Sequence, residues 1–332
     1  MSKRYLIVGP SWVGDMVMAQ SLFKRIKAEQ PDAYLAVLAP KWSEALLSRM
    51  PEVDEAIVMP IGHKQLALRT RWRIAQQIKT KQFDQAIVLP GSLKSALIPW
   101  FARIPKRTGF VAEQRYGLLN DIRKLDKTAL ALNVERFLVL GSADHSLPNS
   151  IPTPELNIDQ DAQQQVQEKF KISQHQRLLA LCPGAEFGPA KQWPAKHFAA
   201  LAKTQAKMGW QVVLLGSKAD QSICAEINRL SGENGIDISG KTSLLEVIDV
   251  LSLADYVVSN DSGLMHIAAA LHRPLVAIYG SSSPDFTPPS SDNHHIAQKQ
   301  MSCQPCFKRV CPLGHTDCLH DLHASEVAGH IA

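Results

Sequence analysis

The sequence predicts an α/β fold built of two doubly wound, Rossmann-like parallel-sheet domains. Three observations carry that expectation. Short β-branched or aliphatic runs alternate with amphipathic stretches, the pattern of parallel strands joined by helices on both faces of a sheet. Runs such as Ala86-Ile87-Val88-Leu89 are apolar throughout, as strands buried on both faces must be. The alternation halts once, in a polar, proline-rich stretch at 142–154, and then restarts. A chain of 332 residues suits two domains of about 150 residues each, expected here at 1–155 and 156–332.

In chain order, strands are expected at 5–8, 34–39, 56–59 and 85–89, with helices between them at 15–30, 42–50, 64–81 and 92–102. A polar helix at 159–170 follows the linker. In the second half, strands are expected at 178–182, 211–215, 256–259 and 275–279, and helices at 195–208, 219–230, 243–253 and 263–271. Ligands of open α/β sheets sit beyond the C-terminal ends of the strands. Two such domains also imply a cleft, so functional residues are expected just after strands.

Hydrophobic residues make up 45% and charged residues 20% of the chain, a globular balance that excludes wholesale disorder, collagen and coiled coil. No run approaches the roughly 18 apolar residues of a spanning helix. The apolar stretch near the start breaks at Gly9-Pro10 after four residues, which reads as a first strand and not a secretion signal. The chain is therefore expected in the cytosol. A net charge of +5, from 36 basic and 31 acidic residues, is too mild to call for nucleic acid. It is compatible with anionic small molecules or an anionic membrane surface.

The first strand runs into Gly9-Pro10-Ser11-Trp12-Val13-Gly14-Asp15. Asp15 falls at a helix N-terminus, where the dipole favours its ionised form. From position alone an N-cap aspartate is the ordinary reading; a carboxylate aimed into the cleft is the functional one. The loop lacks both G-x-G-x-x-G and G-x-x-x-x-G-K-[ST], which argues against a dinucleotide site and a P-loop.

After the first strand of the second half comes Pro183-Gly184-Ala185-Glu186-Phe187-Gly188-Pro189-Ala190-Lys191-Gln192-Trp193-Pro194. Gly184 and Gly188 supply a flexible turn, and Lys191 can neutralise a phosphate; the alternative is an ordinary loop with a solvated lysine. Later, Asp261, Ser262 and Gly263 form a helix start whose free N–H groups suit a diphosphate, and His266 falls within a turn of it. Two phosphate-type loops in one domain favour the functional reading. Asp220, after the turn Gly216-Ser217, can accept from a ribose diol or cap the next helix.

The stretch 64–81 carries Lys64, Arg69, Arg71, Arg73, Lys79 and Lys81 with no acidic residue, and Leu66, Ile74 and Ile78 share one face. A solvated helix face is the usual meaning of such a run, but a field without acids also suits phosphorylated glycolipid or anionic lipid head groups. Lys106, Arg107 and Arg115 extend the patch. Six cysteines, four of them near the C-terminus, are too few and too clustered for a disulfide scaffold. Cys303, Cys306, Cys311 and Cys318 include one Cys-x2-Cys zinc half-site. The remaining spacing is irregular, so a reduced, packed segment is expected, with zinc as the alternative.

The segments Ser11-Trp12-Val13-Gly14-Asp15, 182–194 and Asn260-Asp261-Ser262-Gly263-Leu264-Met265-His266, together with Pro284-Asp285-Phe286-Thr287-Pro288-Pro289, resemble the lipopolysaccharide heptosyltransferases. Ser11-Trp12 and 184–188 favour the type II subgroup. The resemblance implies a GT-B fold, with the acceptor bound mainly by the first domain and the nucleotide sugar by the second. It implies transfer of L-glycero-D-manno-heptose from ADP-heptose, a substrate, to the first heptose of the inner core (heptosyl-Kdo2-lipid A), with inversion and no required cofactor or metal. Asp15 takes the general-base position. Lys191 contacts the diphosphate, and Asp220 the ribose, where the family often has Glu. Asp261, Ser262 and Gly263 form the diphosphate loop, where the family often has Thr at Ser262, and Gly184 and His266 complete the donor site. Arg107, Arg115, Lys64 and Arg69 are the expected acceptor contacts, on the cytoplasmic face of the inner membrane. Three other readings stay open: heptosyltransferase I or III, a GT-B enzyme with another nucleotide sugar, and a non-catalytic, zinc-bearing envelope-assembly protein.

Overall fold

The computed structural model describes residues 2–62 and 65–331. The chain divides into two compact units, Met1–Pro154 and Glu155–Ala332. The first contains β1 (Arg4–Val8), α1 (Val13–Glu29), β2 (Tyr34–Ala39), α2 (Ser43–Leu47), β3 (Glu55–Val58), α3 (Leu68–Lys79) and β4 (Gln85–Val88). A 3-10 turn, Leu93–Ala96, then runs into α4 (Leu97–Phe101), followed by β5 (Lys106–Phe110), β6 (Asp121–Arg123) and α5 (Asn133–Gly141). The strands form one parallel sheet in the order β3-β2-β1-β4-β5-β6.

The second unit opens with α6 (Gln160–Phe170), capped by the Asp159 carboxylate on the Ala162 N–H. It continues through β7 (Leu178–Cys182), α7 (Ala195–Lys207), β8 (Gln211–Leu214), α8 (Gln221–Ser231), β9 (Gly235–Asp237), α9 (Leu244–Leu253), β10 (Tyr256–Asn260), α10 (Gly263–Ala270), β11 (Leu275–Ile278), β12 (His294–Ala297), α11 (Asp317–His320) and α12 (Ala324–Ala328). Its parallel order is β12-β11-β10-β7-β8-β9. Read outward from the first strand, both sheets are wound alike. Each reverses direction between its first and fourth strands, at β1/β4 and at β7/β10, and that reversal is where such sheets open a crevice.

The central strands are buried on both faces: Leu6, Ile7, Leu179, Ala180, Val257 and Val258 have no solvent exposure. Their continuous apolar runs give this away in the sequence. The outer strands β5, β6, β9 and β12 are absent from the expected set. They are short or polar, reading Lys-Arg-Thr-Gly-Phe, Asp-Ile-Arg, Gly-Ile-Asp and His-His-Ile-Ala, because strands away from the sheet centre need not be apolar throughout. The helix expected at 64–81 begins only at Leu68, and Leu66 before it is half exposed, so Leu66 does not share the apolar face of Ile74 and Ile78. Among the described residues, no helix is long and apolar enough to cross a membrane.

Candidate active site

In the second unit, the ends of β7 and β10 lie side by side, with Ser259 paired to Cys182. The next residue, Asn260, is fully buried. Its amide donates to the Pro183 carbonyl at 2.7 Å and accepts from the Trp193 N–H at 3.1 Å. One side chain thus clamps both ends of the loop that follows β7. Trp193 anchors the far end from inside the core, donating its indole N–H to the Leu322 carbonyl at 2.8 Å and meeting the Phe198 ring edge-on.

Between these anchors, Gly188 adopts φ 148°, and a Cβ there would lie 2.5 Å from the Arg309 carbonyl oxygen. The 3-10 turn Pro189–Lys191 then delivers Lys191, whose Nζ stands 2.5 Å from Asp261 Oδ2. The Ser282 hydroxyl, from the loop after β11, donates to the same oxygen at 2.5 Å. Asp261 is nearly buried and Lys191 mostly so. The lysine is thus held beside the start of α10, where Ser262 is the N-cap but makes no side-chain capping bond. A cation and a helix start without that cap, at a sheet reversal, form a receptive place for a diphosphate.

His266 sits on α10 with its ring 4% exposed and its Nδ1 without a hydrogen-bond partner. Burial pulls its pKa down to about 4; Asp261 opposes this and Lys191 reinforces it. The imidazole is therefore neutral at pH 7, beneath the pair and not at the surface.

For Asp220 the sequence left two readings, a ribose contact or a cap on the next helix; Asp220 is the N-cap residue of α8 but makes no side-chain capping bond to it. Its Oδ2 accepts from the Ser217 N–H at 2.8 Å and the Ser217 hydroxyl at 2.7 Å, closing a capping box over the 3-10 turn Lys218–Asp220. Gly184 lies against it, and a Cβ on Gly184 would come within 2.6 Å of the carboxylate. Glycine is needed there for close approach.

In the first unit, Asp15 occupies the first turn of α1. It is not the N-cap; that position belongs to Trp12, which makes no side-chain capping bond. The half-buried carboxylate accepts from Asn133 Nδ2 at 3.0 Å. Asn133 opens α5, which packs along α1. The site expectation omits Asn133 because it omits α5; the amphipathic run Val134-Glu135-Arg136-Phe137-Leu138 was the available signal.

Two of the expected acceptor contacts turn their guanidiniums to backbone carbonyls. Arg115 is 1% exposed, and its guanidinium donates to the Pro90 carbonyl at 2.7 Å and to the Phe110 carbonyl. Arg107 donates to the Leu118 and Ile104 carbonyls, each at 2.6 Å. Five donors on a planar fork let one arginine satisfy several loop carbonyls at once, as the buried Arg115 and the half-buried Arg107 do here. Arg71 does the same, 3% exposed, with the Leu66 and Lys94 carbonyls. Arg69 and Arg73 are exposed on α3. Lys64 lies outside the described residues.

The C-terminal thiols are all free. Cys303, Cys306, Cys311 and Cys318 line one small cavity together with His315 and Ser281. Backbone N–H groups of Thr316, Leu313, Gly314 and His315 bond to Cys311 and lower its thiol pKa, whereas burial, assisted by the other three thiols, raises that of Cys318 to about 11. Among the described residues, no three His, Cys, Asp or Glu side chains are grouped closely enough to hold an ion as they stand.

Comparison with known proteins gives a consistent answer. Residues 71–317 match the model of glycosyltransferase family 9 (heptosyltransferase). The chain is 48% identical to lipopolysaccharide heptosyltransferase 2 of Salmonella typhimurium over 340 aligned positions, covering 97% of this chain and 98% of that one. It is 47% identical to lipopolysaccharide heptosyltransferase 2 of Escherichia coli K12 over 303 positions, covering 88% and 87%. Among solved structures, E. coli ADP-heptose LPS heptosyltransferase II superposes with a TM-score of 0.86 at 41% identity, covering 99% of this chain and 97% of that one.

Proposed function

The chain belongs to glycosyltransferase family 9, the heptosyltransferases, and from that premise we propose that it moves a heptose from ADP-heptose onto the first heptose of the lipopolysaccharide inner core. It is a glycosyltransferase of GT-B fold. The observation that carries the donor side is the Lys191–Asp261–Ser282 cluster at the head of α10. When the diphosphate arrives, Lys191 exchanges its carboxylate partner for phosphate oxygens, and the N–H groups of Ser262 and Gly263 add theirs. Gly184 lets the Asp220 carboxylate pack against the loop after β7, and His266 is a neutral ring on α10.

The reaction is a displacement with inversion. The bond from the anomeric carbon to the ADP oxygen breaks, and the bond to the acceptor hydroxyl oxygen forms on the opposite face. The hydroxyl proton passes to Asp15. A carboxylate is a weak base, which suffices where the transition state is oxocarbenium-like and the proton leaves late. The negative charge growing on ADP is met by Lys191 and the start of α10, so the chemistry requires no metal cofactor.

Two truncated acceptors test this reading, one lacking heptose and one carrying a single heptose. Product only on the mono-heptosylated acceptor is expected. Product only on the heptose-free acceptor would move the acceptor assignment one sugar inward. Failure to bind ADP-heptose would overturn the donor assignment.

The acceptor is a lipid, and the exposed side of α3 suits a membrane surface. Arg69 and Arg73 stand beside Leu66, Leu68 and Trp72, each at least half exposed, while Leu93 and Trp100, around the packed helix α4, are also exposed. Apolar and aromatic groups among cations are what an anionic bilayer interface takes up. The enzyme would then work on the cytoplasmic face of the inner membrane. Arg69→Gln with Arg73→Gln should weaken binding to vesicles containing anionic lipid; unchanged binding would remove the surface from the proposal.

A further inference from the structure

A second cation, Arg309, stands near Lys191, and the proposed transfer makes no use of it. Arg309 belongs to the cysteine-rich segment that precedes α11, and hydrogen bonds dock that segment on the donor loops. The Gln304 amide donates to the Gly280 carbonyl at 2.6 Å. The Phe307 N–H donates to the Ser281 carbonyl at 2.7 Å, and the Ala190 N–H donates to the Arg309 carbonyl at 3.1 Å. Gly188 admits this last approach, since any side chain there would strike the Arg309 carbonyl. The backbone of Arg309 is thereby fixed against the residue before Lys191, while its side chain stays exposed.

The guanidinium carbon stands over the Phe187 ring, 5.5 Å from its centroid, and Lys191 Nζ stands over the same ring at 5.0 Å. Two cations from separate segments thus share one aromatic side chain of the loop after β7. A ring face attracts a cation without taking up its hydrogen-bond donors. Among the described residues, no carboxylate or carbonyl takes the N–H groups of Arg309. This sets it apart from Arg107 and Arg115, whose donors are occupied by backbone carbonyls.

Charge decides what such a cation is for. The Asp261 carboxylate stays beside Lys191 whichever oxygens the lysine bonds, so that pair brings no net positive charge. The start of α10 adds roughly half a unit. A nucleotide sugar carries a negative charge on each phosphate, and more charge gathers on the nucleotide as it leaves. A planar guanidinium matches phosphate oxygens two at a time. We propose that Arg309 is a further donor-binding residue, its guanidinium taking phosphate oxygens of the nucleotide diphosphate alongside Lys191. Docking of the cysteine-rich segment is what delivers it. The choice of a nucleotide diphosphate as ligand rests on the transferase reading.

Calorimetry with ADP, set beside saturation-transfer NMR with adenosine, tests this on the full chain. Arg309→Gln spares the carbonyl that receives the Ala190 N–H. It should weaken ADP binding about tenfold or more, the scale of a lost charge-assisted hydrogen bond, with adenosine binding unchanged. Arg309→Lys should recover part of the loss, because it keeps the charge without the fork. Lys308→Gln removes the exposed cation next in the chain and should leave ADP binding as it is. Unchanged ADP binding in Arg309→Gln overturns the proposal. An equal loss of adenosine binding also overturns it, by making Arg309 merely structural. So does an equal loss from Lys308→Gln, which would reduce the effect to the general field. Wild-type protein that binds ADP but transfers no heptose fails the transferase reading and leaves Arg309 in its role; wild-type protein that binds no ADP overturns both.

Discussion

The two units share one winding and fill its reversal point with opposite chemistry. In the second unit, the loops after β7 and β10 bring a lysine and an aspartate together beside a helix start, with Ser282 fixing the carboxylate. In the first unit, the loop after β1 presents Asp15 with an amide partner, Asn133. The carbonyl of Pro90, after β4, is taken up by the buried Arg115. On the proposed reaction, one crevice receives negative charge and the other accepts a proton. The topology sets where each site lies; a few loop residues set what it does.

The sharpest way to break this comparison is Asp15→Asn. Transfer should fall by about three orders of magnitude, the scale of a lost general base, while calorimetry finds ADP-heptose binding unchanged. Near wild-type turnover would deprive the first crevice of its role. Lys191→Met comes next. It leaves Asp261 buried without its cation, which costs about 3 kcal/mol of stability, and donor affinity should fall at least tenfold. Adding Asp261→Asn should restore much of the stability but not the affinity, as denaturant melts and binding isotherms would register. If the double variant is no more stable than the single one, the pair is not coupled as described.

Asn133→Ala should lower kcat by about tenfold with the donor KM unchanged, because the amide orients Asp15 without touching the donor. A shift in the kcat pH profile would accompany it; a loss of stability alone would make Asn133 merely structural. The smallest effect concerns His266. Its folded pKa lies below the unfolded value, so between pH 6.5 and about 4 the unfolded chain holds more protons. The contribution is complete above pH 6.5 and declines as pH falls, by at most about 1.4 kcal/mol per pH unit for one group. Denaturant melts of His266→Gln should show a shallower acid dependence than wild type.

These contrasts also explain what could be read in the sequence. The inner strands announced themselves through burial on both faces, and the loops after them could be searched for chemistry. Lys191 and Asp261 stood out singly. Their pairing did not, because 70 positions separate them and only the β7–β10 register brings them together. Asn133 and Ser282 were invisible for the same reason: each serves a residue far away in the chain. The sequence records the charge of Arg107 and Arg115 without recording where the guanidinium points.

Three arginines of the first unit, Arg71, Arg115 and Arg123, are each no more than 3% exposed. They contribute to the formal charge of +5 while their guanidiniums face the protein's own carbonyls and, for Arg123, the Asp121 carboxylate as well. A ligand therefore meets a different electrostatic landscape from the one the amino-acid tally implies. Dissolved ions act on the same division. Salt at about 0.15 M, with a screening length near 8 Å, mutes Arg69 and Arg73 at the surface but scarcely reaches the interior three. Raising the ionic strength would thus weaken the proposed hold on an anionic bilayer and leave the protein's architecture undisturbed.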